Sequence, residues 1–177
     1  MATYPGGHAV FLLAALATHT FLGYALGSVL FRRPVAGALG GVLPDVDFLF
    51  PAFLGPPFGH RGLTHTLLAA GVAAALAARL DGRTAAAVGT AYLSHLLVDA
   101  TTPMGVALWY PVADERVRFL LHGHSPVGTV AIWTGCLLLL LGRRFARSGS
   151  NGRGDGDDRR GGVRRCWPAR RRRCRRG

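Results

Sequence analysis

The sequence predicts an all-α, polytopic membrane helical bundle with about four to five spans and a disordered basic C-terminal tail. Half of the 177 residues are hydrophobic and the mean hydropathy is +0.27, which is typical of small membrane proteins. No apolar run alternates in the manner of barrel strands. The net charge of +12 is concentrated near one end of the chain, so the sequence divides into two parts.

The two parts are residues 1–142 and residues 143–177. The first carries seven Arg against six Asp or Glu, a net charge of +1. The second carries fourteen Arg against three Asp, a net charge of +11, with many Gly and few apolar residues. Such a composition cannot bury enough surface to fold. We therefore expect a membrane-embedded helical domain over 1–142 and disorder over 143–177.

The charge of the tail predicts an attraction to the anionic headgroups of membrane lipids. A specific nucleic-acid partner is disfavoured, because neither a folded module nor an aromatic platform accompanies the charge. A tail without function, produced by a GC-rich coding bias, is the remaining alternative.

Five apolar segments follow one another before the tail. The first is longer than the roughly 20 residues that a transmembrane helix needs. The second is broken by prolines and acidic residues, so it is either a discontinuous span or a re-entrant loop. If all five cross the membrane, the positive-inside rule puts the tail in the cytoplasm; four spans are the alternative. The segments cover residues 9–31, 35–54, 63–80, 85–101 and 126–142.

Three polar motifs interrupt this apolar sequence: LPDVD, GHRGLTH and SHLLVDATTP. Ionisable groups are expensive in lipid, so their clustering indicates a function. Carboxylates and imidazoles are the ligands of divalent cations, and a bound cation offsets the cost of burying them. The motifs supply six candidate metal ligands, which are Asp45, Asp47, His60, His65, His95 and Asp99.

The spacing within each motif supports a shared site but leaves alternatives. His95 and Asp99 are four residues apart, hence on one helical face, where they bind one metal or simply hydrogen-bond each other. Asp45 and Asp47 supply hard oxygen ligands or cap a helix start.

Other polar residues extend the possible site. Thr64 is the expected N-cap of the third segment, which would put His65 in its first turn. Arg61 is a candidate for binding a phosphate or carboxylate, or else it orders a loop or faces a headgroup. His19 lies in the middle of the first span as a ligand or a satisfied interior residue. His122 and His124 (HGHS) resemble a short metal-ligand pair, but they occupy a polar loop, where we expect them to be solvated.

The third and fourth segments are expected to form an antiparallel hairpin. His65 opens the first helix of the hairpin, and His95 and Asp99 close the second. All three would therefore share one membrane depth, where the two aspartates of LPDVD can join them.

These motifs resemble a known family. His19 with HTFLGYALG, GGVLPDVDF, HRGLTHTLL and SHLLVDATTPMGVALWYP are similar, in order and spacing, to the motifs of the YdjM-like (LexA-regulated) membrane-bound metal-dependent hydrolases. The resemblance covers residues 15–112 and implies an inner-membrane location. A more distant similarity of pattern to the zinc-dependent phospholipase C group would imply phosphoester chemistry, by analogy only.

The sequence thus predicts a membrane hydrolase that uses one or more divalent metals, with zinc expected. In this reading the catalytic residues are Asp45, Asp47 and Arg61, and His19 and His60 join the other histidines and acids as ligands. Phosphoester or lipid-linked substrates are expected. One alternative is a transporter in which His and Asp relay protons or cations. The other is a non-catalytic membrane protein with a structural metal site.

Overall fold

The structure of the chain, a computed structural model, describes residues 7–50, 57–119, 121 and 123–151. In this part of the chain the architecture is helical, with one isolated β-bridge between Val106 and Val117, as the all-α prediction requires. Five α-helices form it: α1 (Gly7–Leu26), α2 (Pro34–Val42), α3 (Leu67–Ala78), α4 (Gly82–Ala100) and α5 (Pro126–Asn151).

Shorter helical turns connect the first three helices. A π-helical turn, Gly27–Phe31, ends α1, and Pro34 then opens α2 at a position where its missing N–H is not needed. The predicted second segment becomes α2 followed by a 3₁₀ helix, Leu43–Leu49. A second 3₁₀ turn, Leu63–His65, precedes α3. The irregular backbone predicted for LPDVD is thus a 3₁₀ helix.

Two of the described helices have the length and apolar composition to cross a membrane: Ala9–Phe31 and Pro126–Arg147. The four to five spans of the prediction are therefore not confirmed. At 1.5 Å per residue, α3 is only about 18 Å long, whereas α4 is long enough but less apolar. The helix α5 continues past the predicted end at Gly142 to Asn151. The first of two units into which the chain divides ends at Arg143. Of the residues after it, only the end of α5 is described, so the predicted disorder of the tail lies largely outside the described residues.

Close packing of α1 against α2 depends on glycine. A Cβ built on Gly23 would lie 2.3 Å from the carbonyl oxygen of Gly37, and one built on Gly41 would lie 2.3 Å from the carbonyl oxygen of His19. Both distances are far below carbon–oxygen contact, so only glycine lets the two backbones approach this closely. This approach fixes the position of Gly41 beside His19.

The α3–α4 hairpin is confirmed: the two helices pack along their length, with a small core around Tyr92 and Leu96. The predicted cap of α3 is wrong by two residues. Thr66 is the N-cap and accepts a hydrogen bond from the Ala69 N–H, so His65 precedes the helix. The helix α4 is capped by Asp81, which accepts hydrogen bonds from the N–H groups of Arg83 and Thr84.

Replacing Gly41 with Ala should destabilise the protein by about 1–3 kcal/mol, because the new methyl group overlaps the α1 backbone. Gly135→Ala is the matched control, since a Cβ there meets no atom within 4 Å. Thermal unfolding in detergent measures both variants. Equal melting temperatures for the two variants would contradict the close packing of α1 and α2.

The cap of α4 gives a pH-dependent prediction. Hydrogen bonds from the Thr84 hydroxyl and N–H, together with Arg33, lower the pKa of Asp81 to about 2. A lowered pKa means that this carboxylate stabilises the fold above its unfolded value of about 4, and that the contribution is lost as the pH falls toward 2. Asp81→Ala should therefore lower the melting temperature at about pH 6 and lose most of that effect near pH 2. A pH-independent difference would contradict this role.

Candidate metal centre

Asp47 holds the segment that carries GHRGLTH. Its Oδ1 lies 3.2 Å from Nδ1 of His60, and its Oδ2 accepts the Arg61 backbone N–H (2.9 Å) and the Thr64 hydroxyl (3.1 Å). Nδ1 of His65 lies 3.1 Å from the same Oδ2. Because Asp47 is 4 % exposed and all of these groups lie at its carboxylate, it orients the 60–65 segment, and His65 in particular.

The two buried imidazoles of the site are oriented through their Nδ1 atoms. Nδ1 of His95 lies 2.7 Å from the Gly41 carbonyl oxygen, which can only accept a hydrogen bond, so this nitrogen carries the proton. Nδ1 of His65 donates in the same way to Asp47. In the neutral form of both rings, the two Nε2 atoms, 3.2 Å apart, therefore direct lone pairs toward each other.

Two carboxylate oxygens complete this arrangement. Oδ2 of Asp99 lies 3.3 Å from Nε2 of His65 and 3.5 Å from Nε2 of His95. Oδ1 of Asp45 lies 3.8 Å and 3.7 Å from the same two nitrogens. Each of the two oxygens, one from the 3₁₀ helix and one from α4, thus lies within 3.8 Å of both imidazole nitrogens.

The spacing of these atoms matches that around a small divalent cation. Nitrogen and oxygen ligands at about 2.0–2.1 Å from a tetrahedral zinc ion lie about 3.3–3.4 Å from one another. The described side chains therefore include groups that could hold a metal ion. They form two groups that share no residue, one with His19, His95 and Asp99 and one with Asp45, His60 and His65. The contact between His65 and His95 joins the two groups.

The other oxygen of Asp99 faces a set of nitrogen atoms. Its Oδ1 lies 2.9 Å from Nε2 of His124, 3.0 Å from a terminal nitrogen of Arg61 and 3.4 Å from Nε2 of His19. The imidazole of His19 also stacks on that of His95, with ring centroids 3.7 Å apart. Nδ1 of His19 is buried and has no hydrogen-bond partner among the described residues. Oδ1 of Asp99 thus faces His124, Arg61 and His19, whereas Oδ2 faces the candidate ligands His65 and His95.

Arg61 is buried and already bound within the protein. One guanidinium nitrogen donates to the Thr102 hydroxyl (2.6 Å) and lies 3.3 Å from the carbonyl oxygens of Asp99 and Gly105. Its backbone has a φ of 61°, which is unfavourable for a residue other than glycine. Contacts of Arg61 with Asp47 and Asp99 compensate for this cost. Binding of an anionic substrate group by Arg61 stays a prediction; the described bonds indicate that it positions Asp99.

A narrow cleft of about 30 Å³ leads to this cluster, room for about one water molecule. One wall is an apolar face of α1. The opposite side includes Phe48, whose ring stacks on His60 at 4.3 Å. The lining combines this apolar wall with most of the polar cluster: Phe11, Leu12, Ala15, Leu16, His19, Asp45, Phe48, His60, Arg61, Asp99 and His124.

The structure changes the interpretation of one loop histidine, His124. His124 is 9 % exposed and bound to Asp99, so the expectation that it is solvated is wrong. Its partner is 25 residues away in sequence, and the HGHS spacing was the only signal for it. His122 lies outside the described residues. Tyr92, whose hydroxyl donates to the Thr64 carbonyl oxygen, also escaped the sequence analysis, because an apolar helix offers no sign of such a bond.

The fold and the cluster define a class: a helical membrane protein with a buried group of histidines and aspartates. The comparisons agree with this class and make it specific. The family model described as YdjM inner membrane protein matches residues 6–154, and the chain belongs to this family. The resemblance drawn from the motifs is thereby confirmed, and the inner membrane is the location it supports.

One curated relative is the inner membrane protein YbcI of Escherichia coli (strain K12), which is 36 % identical over 110 residues. That match covers 54 % of this chain and 64 % of the relative, so less than two thirds of the relative's length is represented. No solved structure matches the chain.

Removing the carboxylate of Asp47 should release the 60–65 segment. We expect Asp47→Ala to lower the free energy of unfolding by about 2–4 kcal/mol, because several buried donors lose their acceptor. Thermal unfolding in the presence of a chelator measures this without any contribution from metal. His60→Ala is the control, since its side chain is 34 % exposed and should cost less. An equal loss of unfolding free energy in Asp47→Ala and His60→Ala would contradict the role of Asp47 in orienting the 60–65 segment.

Proposed function

We propose that this protein is a metal-dependent hydrolase of the inner membrane, with zinc as its metal and a phosphoester of a lipid or lipid-linked compound as its substrate. The observation that carries the proposal is the convergence of four ligand atoms, which belong to Asp45, His65, His95 and Asp99. The resemblance of the motifs to metal-dependent hydrolases points to the same chemistry.

Electrostatics supports a cation at this point. Two imidazole lone pairs and two carboxylate oxygens face one another in a site where the carboxylates are at most 8 % exposed. Without a positive charge between them, their repulsion and desolvation would both oppose folding. Two nitrogens and two carboxylate oxygens form a donor set that suits zinc.

Asp47 and Gly41 would not bind the metal themselves but would orient the two histidine ligands. Each accepts a hydrogen bond from the Nδ1 of one imidazole and so keeps the opposite nitrogen free to bind. Asp99 would be held by Arg61 and His124. His19 and His60 would belong to the outer part of the site, with the free nitrogen of His19 as a further ligand atom.

A divalent ion in this position would supply Lewis acidity, making water a nucleophile at neutral pH and polarising the phosphoryl oxygen. Asp45 lines the cleft, and its oxygen lies farther from the two imidazole nitrogens than that of Asp99. As the carboxylate not fully committed as a ligand, it would leave room for a water, accept its proton and return that proton to the alcohol as the phosphorus–oxygen bond breaks. The apolar wall of α1 would exclude bulk water and face a lipid that enters from the membrane plane. The basic tail would bind anionic headgroups on the cytoplasmic side.

Metal analysis of the purified full-length protein is the direct test. Wild type should hold about one ion of zinc per chain, while His95→Ala and Asp45→Ala should lose it and keep their helical circular dichroism. Ser94→Ala is the matched control, because the Ser94 hydroxyl bonds only within its own helix, to the Ala91 carbonyl oxygen. Wild-type protein without metal would overturn the proposal.

Activity is tested on the same four proteins with a soluble chromogenic phosphodiester. Wild type and Ser94→Ala should release the alcohol at equal rates, and the two ligand variants should fall to background. Metal flux into proteoliposomes without hydrolysis would favour a transporter and contradict the assignment. Metal that only raises the melting temperature, with no turnover of any phosphoester, would indicate a structural site.

A further inference from the structure

The helices α1 and α5 point in the same direction. Near their starts, the ring of Phe11 in α1 lies 6.0 Å from the ring of His124, just before α5. Farther along both helices, the indole N–H of Trp133 donates to the Thr18 hydroxyl (3.0 Å), and the indole packs against Phe21 at 5.7 Å. Both helices therefore run from the end of the bundle that holds His124 toward the opposite end.

The connection between α3 and α4 lies at this opposite end as well. Arg33, which follows α1, has a terminal guanidinium nitrogen 3.2 Å from Oδ2 of Asp81, the N-cap of α4. Its Nε donates to the Thr84 hydroxyl (3.2 Å). From there α4 runs back toward the candidate metal centre and reaches His95 after about 21 Å. One end of the bundle thus carries two chain reversals, and the metal centre lies well away from it.

This distant end of the bundle, which we call the arginine end, is strongly basic. It contains one acid, Asp81, in the connections 31–34 and 79–83. The last of its arginines lies about 15 Å beyond Trp133 along α5. At the other end, the exposed charged residues among the described part of the loop 102–125 are two acids and two arginines, 114–116 and 118. The arginine end is defined by Arg32, Arg33, Arg79, Arg83 and Arg143.

The cleft beside the metal centre opens away from the arginine end. Of the α1 residues that line it, His19 is nearest to that end, and it lies about 20 Å from Arg32 along the helix. The others lie between His19 and the start of α1, on the side of His124. They are Phe11, Leu12, Ala15 and Leu16. A molecule that enters the cleft therefore comes from the face of the bundle opposite to the arginines.

An asymmetric distribution of arginine orients a protein in the inner membrane. Connections on the cytoplasmic side carry the excess of Lys and Arg, and the anionic lipids of that leaflet attract them. With the arginine end at the cytoplasmic surface of a hydrocarbon core about 30 Å thick, a metal centre about 20 Å away along the helices would lie closer to the periplasmic surface.

We propose that the arginine end binds the anionic headgroups of the cytoplasmic leaflet and that the candidate metal centre is reached from the periplasmic leaflet. Its substrate is then a phosphoester carried by a lipid of the periplasmic leaflet. This choice of substrate rests on the proposed hydrolase function, whereas the orientation of the bundle does not.

Single cysteines in the full-length protein test the orientation, after Cys136→Ala, Cys166→Ser and Cys174→Ser have removed the native thiols. A membrane-impermeant maleimide is added to sealed spheroplasts. Val112→Cys should be labelled, because Val112 lies in the loop at the metal-centre end and is 93 % exposed. Gly82→Cys, at the arginine end, should react only after the membrane is opened. A Cβ on Gly82 meets no atom within 4 Å, so the fold tolerates this change.

Two further cysteines test the side from which the cleft is reached. Phe48 lines the cleft and is 48 % exposed, whereas Leu13 is 67 % exposed in α1 but does not line the cleft. Maleimides react with the thiolate, which forms in water and not in lipid. Phe48→Cys should therefore be labelled in sealed spheroplasts, and Leu13→Cys, the matched control, should be protected. Labelling in sodium dodecyl sulfate gives the full signal for each variant.

Each departure from this pattern contradicts a stated part of the proposal. Labelling of Gly82→Cys in sealed spheroplasts, or protection of Val112→Cys, would overturn the orientation. Equal labelling of the two would mean that the protein inserts in both directions, and it would overturn the orientation as well. Protection of Phe48→Cys while Val112→Cys is labelled would overturn access from the periplasmic side.

Sealed membranes separate this proposal from the hydrolase proposal. Spheroplasts should cleave an impermeant chromogenic phosphodiester, and inside-out vesicles should cleave it only after detergent is added; His95→Ala gives the background. Full cleavage by sealed inside-out vesicles would contradict periplasmic access. If the cysteines are labelled as expected and nothing is cleaved even in detergent, the hydrolase proposal fails while the orientation stands.

Discussion

Two imidazole nitrogens, 3.2 Å apart and oriented with their lone pairs toward each other, form the contact on which the rest of this structure depends. Each is held in that orientation from behind, one by the carboxylate of Asp47 and one by the carbonyl oxygen of Gly41. Carboxylate oxygens of Asp45 and Asp99 face the same point. Such an arrangement of electron-rich atoms in a buried place is self-repelling unless a proton or a bound cation lies among them.

Glycine packing produces one half of this arrangement. The backbones of α1 and α2 approach so closely that a methyl group on Gly41 would overlap the His19 carbonyl oxygen. With the two backbones this close, the ring of His19 stacks on the ring of His95. The carbonyl oxygen of Gly41 faces Nδ1 of His95 from the same side of the bundle. The small residues of this family member therefore do more than pack helices in lipid: they position the imidazoles.

The sequence predicted the neighbourhood of the site better than the role of each residue. The four-residue spacing of His95 and Asp99 and the antiparallel hairpin were enough to bring His65 to the same depth. The division of work between Asp45 and Asp47 was not predictable, because it depends on the 3₁₀ backbone, which turns Asp47 toward the 60–65 segment. His124 was missed because a loop residue acquires its partner only in the tertiary structure. The cap at Thr66 was missed because Thr64 offered an equally good local signal.

The two cavities divide the surface around the site by chemistry. The cleft combines the apolar wall of α1 with polar side chains, whereas an apolar groove of about 350 Å³ runs along α3 from Leu63 to Leu76. They are separated by the 3₁₀ helix, whose residues line one or the other.

X-ray absorption at the zinc edge of the purified, metal-loaded protein tests the central claim most directly. The account predicts a nearest shell of nitrogen and oxygen at about 2.0–2.1 Å, with the outer-shell scattering of two imidazoles and no sulfur. In His65→Ala, which removes one ligand as His95→Ala does, the bound zinc and its absorption signal should be lost. A shell containing sulfur at about 2.3 Å, or a spectrum unchanged by the loss of His65, would contradict the assignment of the site.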